Sequence, residues 1–150
     1  LYDPGVPKAS PRPWLLTDLL RFTARRYPHK TALPFLGRIL HYLNLWPQVE
    51  AFAKGLQEAG LKPGDRVAIM LPTSPQFVIA FYGTLLAGGL AVNTHPPYTP
   101  RELGLHLRDS GAKILVLLDL LLPRYQEVKA NAPVEGLLPT GIQDNRPFPK

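Results

Sequence analysis

The sequence contains no cysteine. Disulfides, thiolate zinc sites, iron–sulfur clusters and a cysteine nucleophile are therefore excluded. Histidine is scarce: His29, His41, His95 and His106 are scattered, with neither H-x-x-x-H nor H-x-H spacing, which argues against a histidine metal site. Serine occurs only as Ser10, Ser74 and Ser110, and none lies in a G-x-S-x-G elbow, so serine hydrolysis has no support. No G-x-G-x-x-G follows any apolar run, and no G-x-x-x-x-G-K-[ST] or kinase signature occurs. RNP, zinc-finger and basic-zipper patterns are missing as well.

What is present suits one globular domain. The chain has 150 residues, 45% of them hydrophobic and 19% charged, enough to bury a core and too apolar for disorder. Eighteen prolines stiffen loops and limit helix length. The net charge of +6 comes from 17 Lys and Arg against 11 Asp and Glu. Its densest spot is Arg21, Arg25, Arg26 and Lys30; the helical spacing reads as a solvated face, not as a nucleic-acid patch. The chain opens at Leu1, as if the natural start had been trimmed, and Tyr2–Pro13 has four prolines and no apolar h-region of a signal peptide. Val67 to Pro100 carries no formal charge. Its most apolar stretch, Phe77 to Val92, would reach only about 24 Å as a helix and is interrupted by Gly88-Gly89, so no membrane span is expected.

Periodicity predicts the elements. Residues 1–14 form an extended Pro-rich arm. A helix follows from Thr17 to Tyr27, with Leu16, Leu19, Leu20, Thr23 and Ala24 on its buried face. A hairpin pairs Ala32–Leu36 with Ile39–Tyr42 around Gly37-Arg38, glycine first as in a type II′ turn, and Pro34 marks an edge. Asn44 to Ala59 is amphipathic, with Asn44 as cap, Pro47 in the first turn and Gly60 as a left-handed end. Asp65–Leu71, Leu90–Val92 and Ile114–Leu118 are apolar strands separated by helices Pro75–Ala87 and Thr99–Ser110. The second of these opens on a capping box of Thr99, Pro100 and Glu102. Arg124–Ala130 is a short helix, and Leu137–Ile142 is a last strand weakened by Pro139. Apolar strands alternating with helices imply an α/β fold: a partial doubly wound, mostly parallel sheet with helices on both faces, preceded by arm, helix and hairpin.

Doubly wound sheets bind ligands at the carboxyl ends of their strands. Here those ends are Pro72-Thr73-Ser74, Asn93-Thr94-His95-Pro96 and Asp119. Thr73 and Ser74 precede a helix and are better read as caps than as phosphate donors. His95 lies in a Pro-rich loop and reads as a surface or hydrogen-bonded histidine before a catalytic one. Asp119 caps the following turn more readily than it ligates a metal. The residues alone thus stop at an α/β domain without an identifiable reaction centre.

Several strings then occur in a fixed order: R-Y-P-H-K-T-A-L (Arg26–Leu33), G-R-I-L-H-Y (Gly37–Tyr42), G-L-K-P-G-D-R-V-A-I-M-L-P-T-S-P-Q-F (Gly60–Phe77), F-Y-G-T-L-L-A-G-G (Phe81–Gly89), P-Y-T-P-R-E-L (Pro97–Leu103) and D-S-G-A-K (Asp109–Lys113). In this order residues 15–150 resemble the start of the acyl-adenylate-forming enzymes, specifically the bacterial long-chain fatty acid–CoA ligases. The resemblance implies the N-terminal portion of an AMP-binding large domain and a cytoplasmic ligase. The complete family member uses ATP, Mg²⁺ and CoA to join a fatty acid to CoA through an acyl-AMP. The phosphate loop, the Mg²⁺ acid and the ribose Asp come later in the family than the region matched here. The resemblance therefore assigns no catalytic, cofactor-binding or metal residue to this chain, which is expected to be silent alone.

Three departures bear on the fold. The family's T-Y-x-E capping box is His41-Tyr42-Leu43-Asn44 here, so the second helix is expected to start late or fray. The family's V-P-T-N-P-L-Y segment reads Val92-Asn93-Thr94-His95-Pro96-Pro97-Tyr98. Gly136 and Pro139 fall in the last strand. Two other functions stay open. One is a non-catalytic binding or dimerisation module, since an uncovered sheet edge favours self-association; the other is a free-standing nucleotide-binding domain.

Overall fold

The computed structural model describes residues 14–141. Its centre is a pair of parallel strands, β3 (Arg66–Met70) and β5 (Ile114–Leu118), with Val67 opposite Ile114 and Met70 opposite Leu117. β4 (Leu90–Asn93) adds to the far side of β3 and β6 (Gly136–Thr140) to the far side of β5, both parallel, giving the order β4-β3-β5-β6. All of Ile114–Leu118 and Val67–Met70 are buried. Both faces are covered, so these strands have no polar face to alternate with.

The connections fix the layers. The helix α3 (Pro75–Leu86) carries the chain from β3 out to β4; α4 (Pro100–Ser110) carries it back past β3 to β5; α5 (Leu122–Val128) continues to β6. Right-handed crossovers in opposite directions put α3 on one face and α4 with α5 on the other. Packing agrees: α4 lies against α5, while α3 lies against α2 (Tyr42–Glu58) and α1 (Leu16–Arg26). Leu45, Val49, Phe52 and Leu56 bring the buried stripe of α2 into the core. A separate hairpin, β1 (Thr31–Phe35) with β2 (Arg38–His41), joins α1 to α2.

Helix ends follow local chemistry. The Ser74 hydroxyl accepts the Phe77 N–H at the start of α3. Thr99 and Glu102 complete a capping box on α4, which ends at Gly111 with φ 60°. The guanidinium of Arg66 then donates to the Ser110 and Gly111 carbonyls, satisfying acceptors that the helix itself leaves open. β5 forms where predicted, and α3, α4, β3 and β4 do so within a residue or so.

Four expectations are corrected. α1 buries Thr17 and Ala24, whereas Leu16 and Leu19 are about half exposed; the helix is rotated so that its smaller side chains approach α2 and α3. The hairpin turns on Leu36-Gly37, not Gly37-Arg38, because Phe35 pairs with Arg38. Both turn residues have positive φ, 46° and 76°, the type I′ form that matches strand twist. α2 begins at Tyr42, two residues before Asn44, and carries Pro47 inside it. Its opening N–H groups do not need a capping side chain: Tyr42 donates to the Lys30 carbonyl and Leu43 to the Pro28 carbonyl. Lastly, α5 starts at Leu122, not Arg124, because a 3-10 turn over Asp119–Leu121 leads directly into it and Pro123 occupies its first turn.

The last described strand, β6, spans Gly136–Thr140, and Pro139 is accommodated opposite Leu117 on a strand that, among the described residues, is paired on one side only. Ile142 and the arm through Pro13 lie outside the described residues.

Candidate functional site

All four strands of the main sheet are parallel, so their carboxyl ends share one edge. The chain leaves β3 toward β4 and leaves β5 toward β6, in opposite directions, so the crevice between the carboxyl ends of β3 and β5 is the switch point of the sheet. Leu71-Pro72-Thr73-Ser74 and Asp119 follow these two strands and flank that crevice. Thr94 and His95 follow β4, one strand away.

Each predicted candidate has a definite position. Ser74 is buried and its Oγ is engaged by the Phe77 N–H at 3.3 Å. Thr73 is exposed. Asp119 is exposed, and its Oδ1 accepts the Leu120 N–H at 2.7 Å. Thr94 is buried with its N–H on the Ile69 carbonyl and its Oγ1 on the Val92 carbonyl, extending the β3–β4 pairing by one residue. His95 is exposed and lies edge-on to Tyr98, with ring centroids 5.7 Å apart. Tyr98 in turn meets His106 of α4 at 5.5 Å. The structure therefore brings His95 and His106 against the same tyrosine, but among the described residues it shows no hydrogen-bonded set of His95 with Ser74 and Asp119.

Two side chains at this edge escaped the sequence. Gln76 is buried, and its Nε2 donates to the Gly141 carbonyl at 3.2 Å, tying the start of α3 to the end of β6. Arg124 donates to the Pro96 carbonyl at 2.8 Å and the Tyr98 carbonyl at 3.3 Å, clamping the loop between β4 and α4. Gln76 spans 65 positions and Arg124 up to 28, so no local pattern could signal either.

The electrostatics serve the frame. Glu102 is held below the ordinary carboxylate range, first by the Thr99 N–H, then by the Thr99 hydroxyl, with a smaller effect of His95. On the opposite, amino edge Asp65 is also lowered, first by the Lys62 N–H and next by Lys113. Lys113 Nζ stands 3.0 Å from Asp65 Oδ1.

A triphosphate with Mg²⁺ needs several convergent N–H or hydroxyl donors, a cation and free carboxylate oxygens. At this crevice Ser74 is buried with its Oγ accepting the Phe77 N–H, its O–H and that of Thr73 are too few donors to cradle a triphosphate, and one Asp119 oxygen already accepts the Leu120 N–H. Among the described residues no three His, Cys, Asp or Glu side chains are grouped to hold a metal ion. The described part of the site does not fit ATP and Mg²⁺ by itself. What it provides is a rigid strand-end platform with capped helix starts.

Comparison with known proteins gives this platform a setting. A family model described as AMP-binding enzyme matches residues 20–147. The chain is 41% identical to a long-chain-fatty-acid–CoA ligase of Bacillus subtilis, over 99% of this chain and 27% of that protein. It is 38% identical to the enzyme of the same name from Haemophilus influenzae, over 90% of this chain and 24% of that protein. Among solved structures, a long-chain-fatty-acid-CoA ligase from Archaeoglobus fulgidus superposes with TM-score 0.77 at 25% identity, over 87% of this chain and 28% of that one. The N-terminal domain of FACL13 from Mycobacterium tuberculosis gives TM-score 0.77 at 26% identity, over 83% and 33%. The chain thus spans about a quarter of the length of the curated relatives it matches. Sequence, topology and superposition agree: this chain belongs to the AMP-binding enzyme family.

Proposed function

We propose that this chain is the leading portion of a cytoplasmic long-chain fatty acid–CoA ligase, and that residues 15–150 form the first, incomplete part of its large AMP-binding domain. The complete enzyme would convert a fatty acid, ATP and CoA into acyl-CoA, AMP and diphosphate through an acyl-adenylate. The observation that supports this reading best is the 41% identity to the Bacillus subtilis ligase along 99% of the chain. At that level the same sheet and switch point are expected to serve the same chemistry.

The part described here supplies framework. Strands β3 and β5 set the crevice, the Ser74 cap aims α3 away from it, and Gln76 and Arg124 hold its rim. Donors for the triphosphate and an acid for Mg²⁺ would come from the remainder of the enzyme. The chain alone is then catalytically silent. Incubation with ATP, palmitate and CoA should release no AMP above a protein-free control; sustained turnover that scales with protein would overturn the assignment of silence. The coding DNA downstream of Lys150 tests the larger reading. It should encode a Ser/Thr-Gly-Thr-Thr-Gly string closing on Pro-Lys, and an unrelated downstream sequence would count against it.

A further inference from the structure

The main sheet has two outer strands, β4 and β6, and among the described residues neither has a partner on its outer side. A bare row of N–H and C=O groups is a template for a strand of another molecule, and native proteins blunt it. β4 is blunted by brevity. It has four residues, with Gly88-Gly89 before it and Pro96-Pro97 soon after. β6 is the more inviting edge. Its five residues, G-L-L-P-T, carry no charge, and Leu137 and Leu138 are only half-buried.

Register shows which backbone groups of β6 face outward. The Gly136 N–H donates to the Lys113 carbonyl. From there Gly136 to Thr140 stand opposite Ile114 to Leu118 without a shift. Backbone groups alternate in direction along a strand. Those of Gly136, Leu138 and Thr140 therefore face β5, and those of Leu137 and Pro139 face out. Pro139 is exposed, and its ring nitrogen carries no hydrogen. One of the two outward positions is thus held by the residue type that cannot donate.

We propose that Pro139 is an edge guard: it denies the outer side of β6 to a strand from a second copy of this chain. A two-fold copy laid antiparallel and centred on Leu138 would set Leu137 opposite Pro139 in both places. Each such pair would lose one of its two hydrogen bonds, and the ring would fill the space of the missing hydrogen. The inner side of β6 is unaffected, because its bonds to β5 use the other residues. Both ends are held there, by the Gly136 N–H on Lys113 and by Gln76 Nε2 on the Gly141 carbonyl. The guard closes the edge without loosening the sheet. It rests on backbone geometry, is independent of the ligase reading, and weighs against a dimerisation module built on this edge.

The test uses the whole 150-residue chain. In the wild type, amide exchange read by NMR should show the Leu138 and Thr140 N–H groups protected and the Leu137 N–H exchanging as an open amide. Pro139→Val restores the outward donor with a residue suited to strands. In sedimentation this variant should self-associate at a concentration about 10-fold lower than the wild type, and the amides at positions 137 and 139 should become protected. P139K regains the same N–H but places a charge on the edge, another natural guard, and should sediment as the wild type does. Three results would each overturn the proposal: a Leu137 amide protected as strongly as that of Leu138 in the wild type, P139V sedimenting like the wild type, or P139V and P139K associating equally. The first is read on the wild type and decides the matter even where a variant fails to fold.

Discussion

Leu36 occupies the left-handed region at φ 46°, with its side chain 74% exposed. For a leucine that conformation costs about 1–2 kcal/mol, and the exposed side chain recovers little of it by packing. Asparagine is at ease there, and Asn-Gly is the preferred pair for this turn. Leu36→Asn should therefore stabilise the chain by on the order of 1 kcal/mol, read as a higher midpoint in urea at unchanged slope. A lower midpoint would mean that Leu36 makes a contact worth more than its strain. Asp65 is a second residue whose surroundings set its behaviour. Its carboxylate accepts the Lys62 N–H and pairs with Lys113, so its folded-state pKa lies below the ordinary 3.8. A lowered pKa contributes stability that is complete above the ordinary value and is lost as pH falls through the folded value. The melting temperature should thus fall as the medium is acidified below about pH 4. Asp65→Asn should lower it at neutral pH and flatten that acid slope; an unchanged slope would remove Asp65 from the account.

α2 and α3 illustrate how an element-level contact reverses a local rule. Glycine inside a helix normally costs about 0.5–1 kcal/mol relative to alanine. Gly83 lies inside α3, yet a Cβ there would come within 2.6 Å of Phe52 Cδ1 and 3.1 Å of Phe52 Cβ. Phe52 is buried on α2, so its ring would have to shift within the core to admit a methyl group. Gly83→Ala is expected to destabilise by about 1–3 kcal/mol, the range for overpacking, and chemical denaturation would measure it. A stabilised variant would show that the two helices can separate without loss. α4 shows the opposite case, in which local chemistry suffices: Thr99, Pro100, Glu102 and Gly111 mark its start and stop, and the helix forms between them. α2 falls between the two. Its start is set by the carbonyls of Pro28 and Lys30, which the hairpin brings back to Tyr42 and Leu43, so Asn44 looked like a better cap than it is.

Across the molecule, the parallel sheet, its two covered faces and its family were legible in one dimension. Buried strands such as Ile114–Leu118 show as unbroken apolar runs, because a strand covered on both sides has no polar face to display. The strand ends that carry Ser74, His95 and Asp119 were legible for the same reason, and so was the capping role of Ser74. The outward turn of Leu16 and Leu19 was not, because a helix with apolar residues around most of its circumference leaves its rotation open. Only the presence of α2 and α3 selects the small side of Thr17 and Ala24. The type I′ turn at Leu36-Gly37 was hidden because register is a property of two strands and not of either alone. Gln76 and Arg124 belong with these, since their acceptors are backbone carbonyls far along the chain. Hydrophobic period and capping residues act over a few positions and are written in the sequence. Helix rotation, strand register and long-range hydrogen bonds depend on which surfaces meet, so tertiary packing alone settles them.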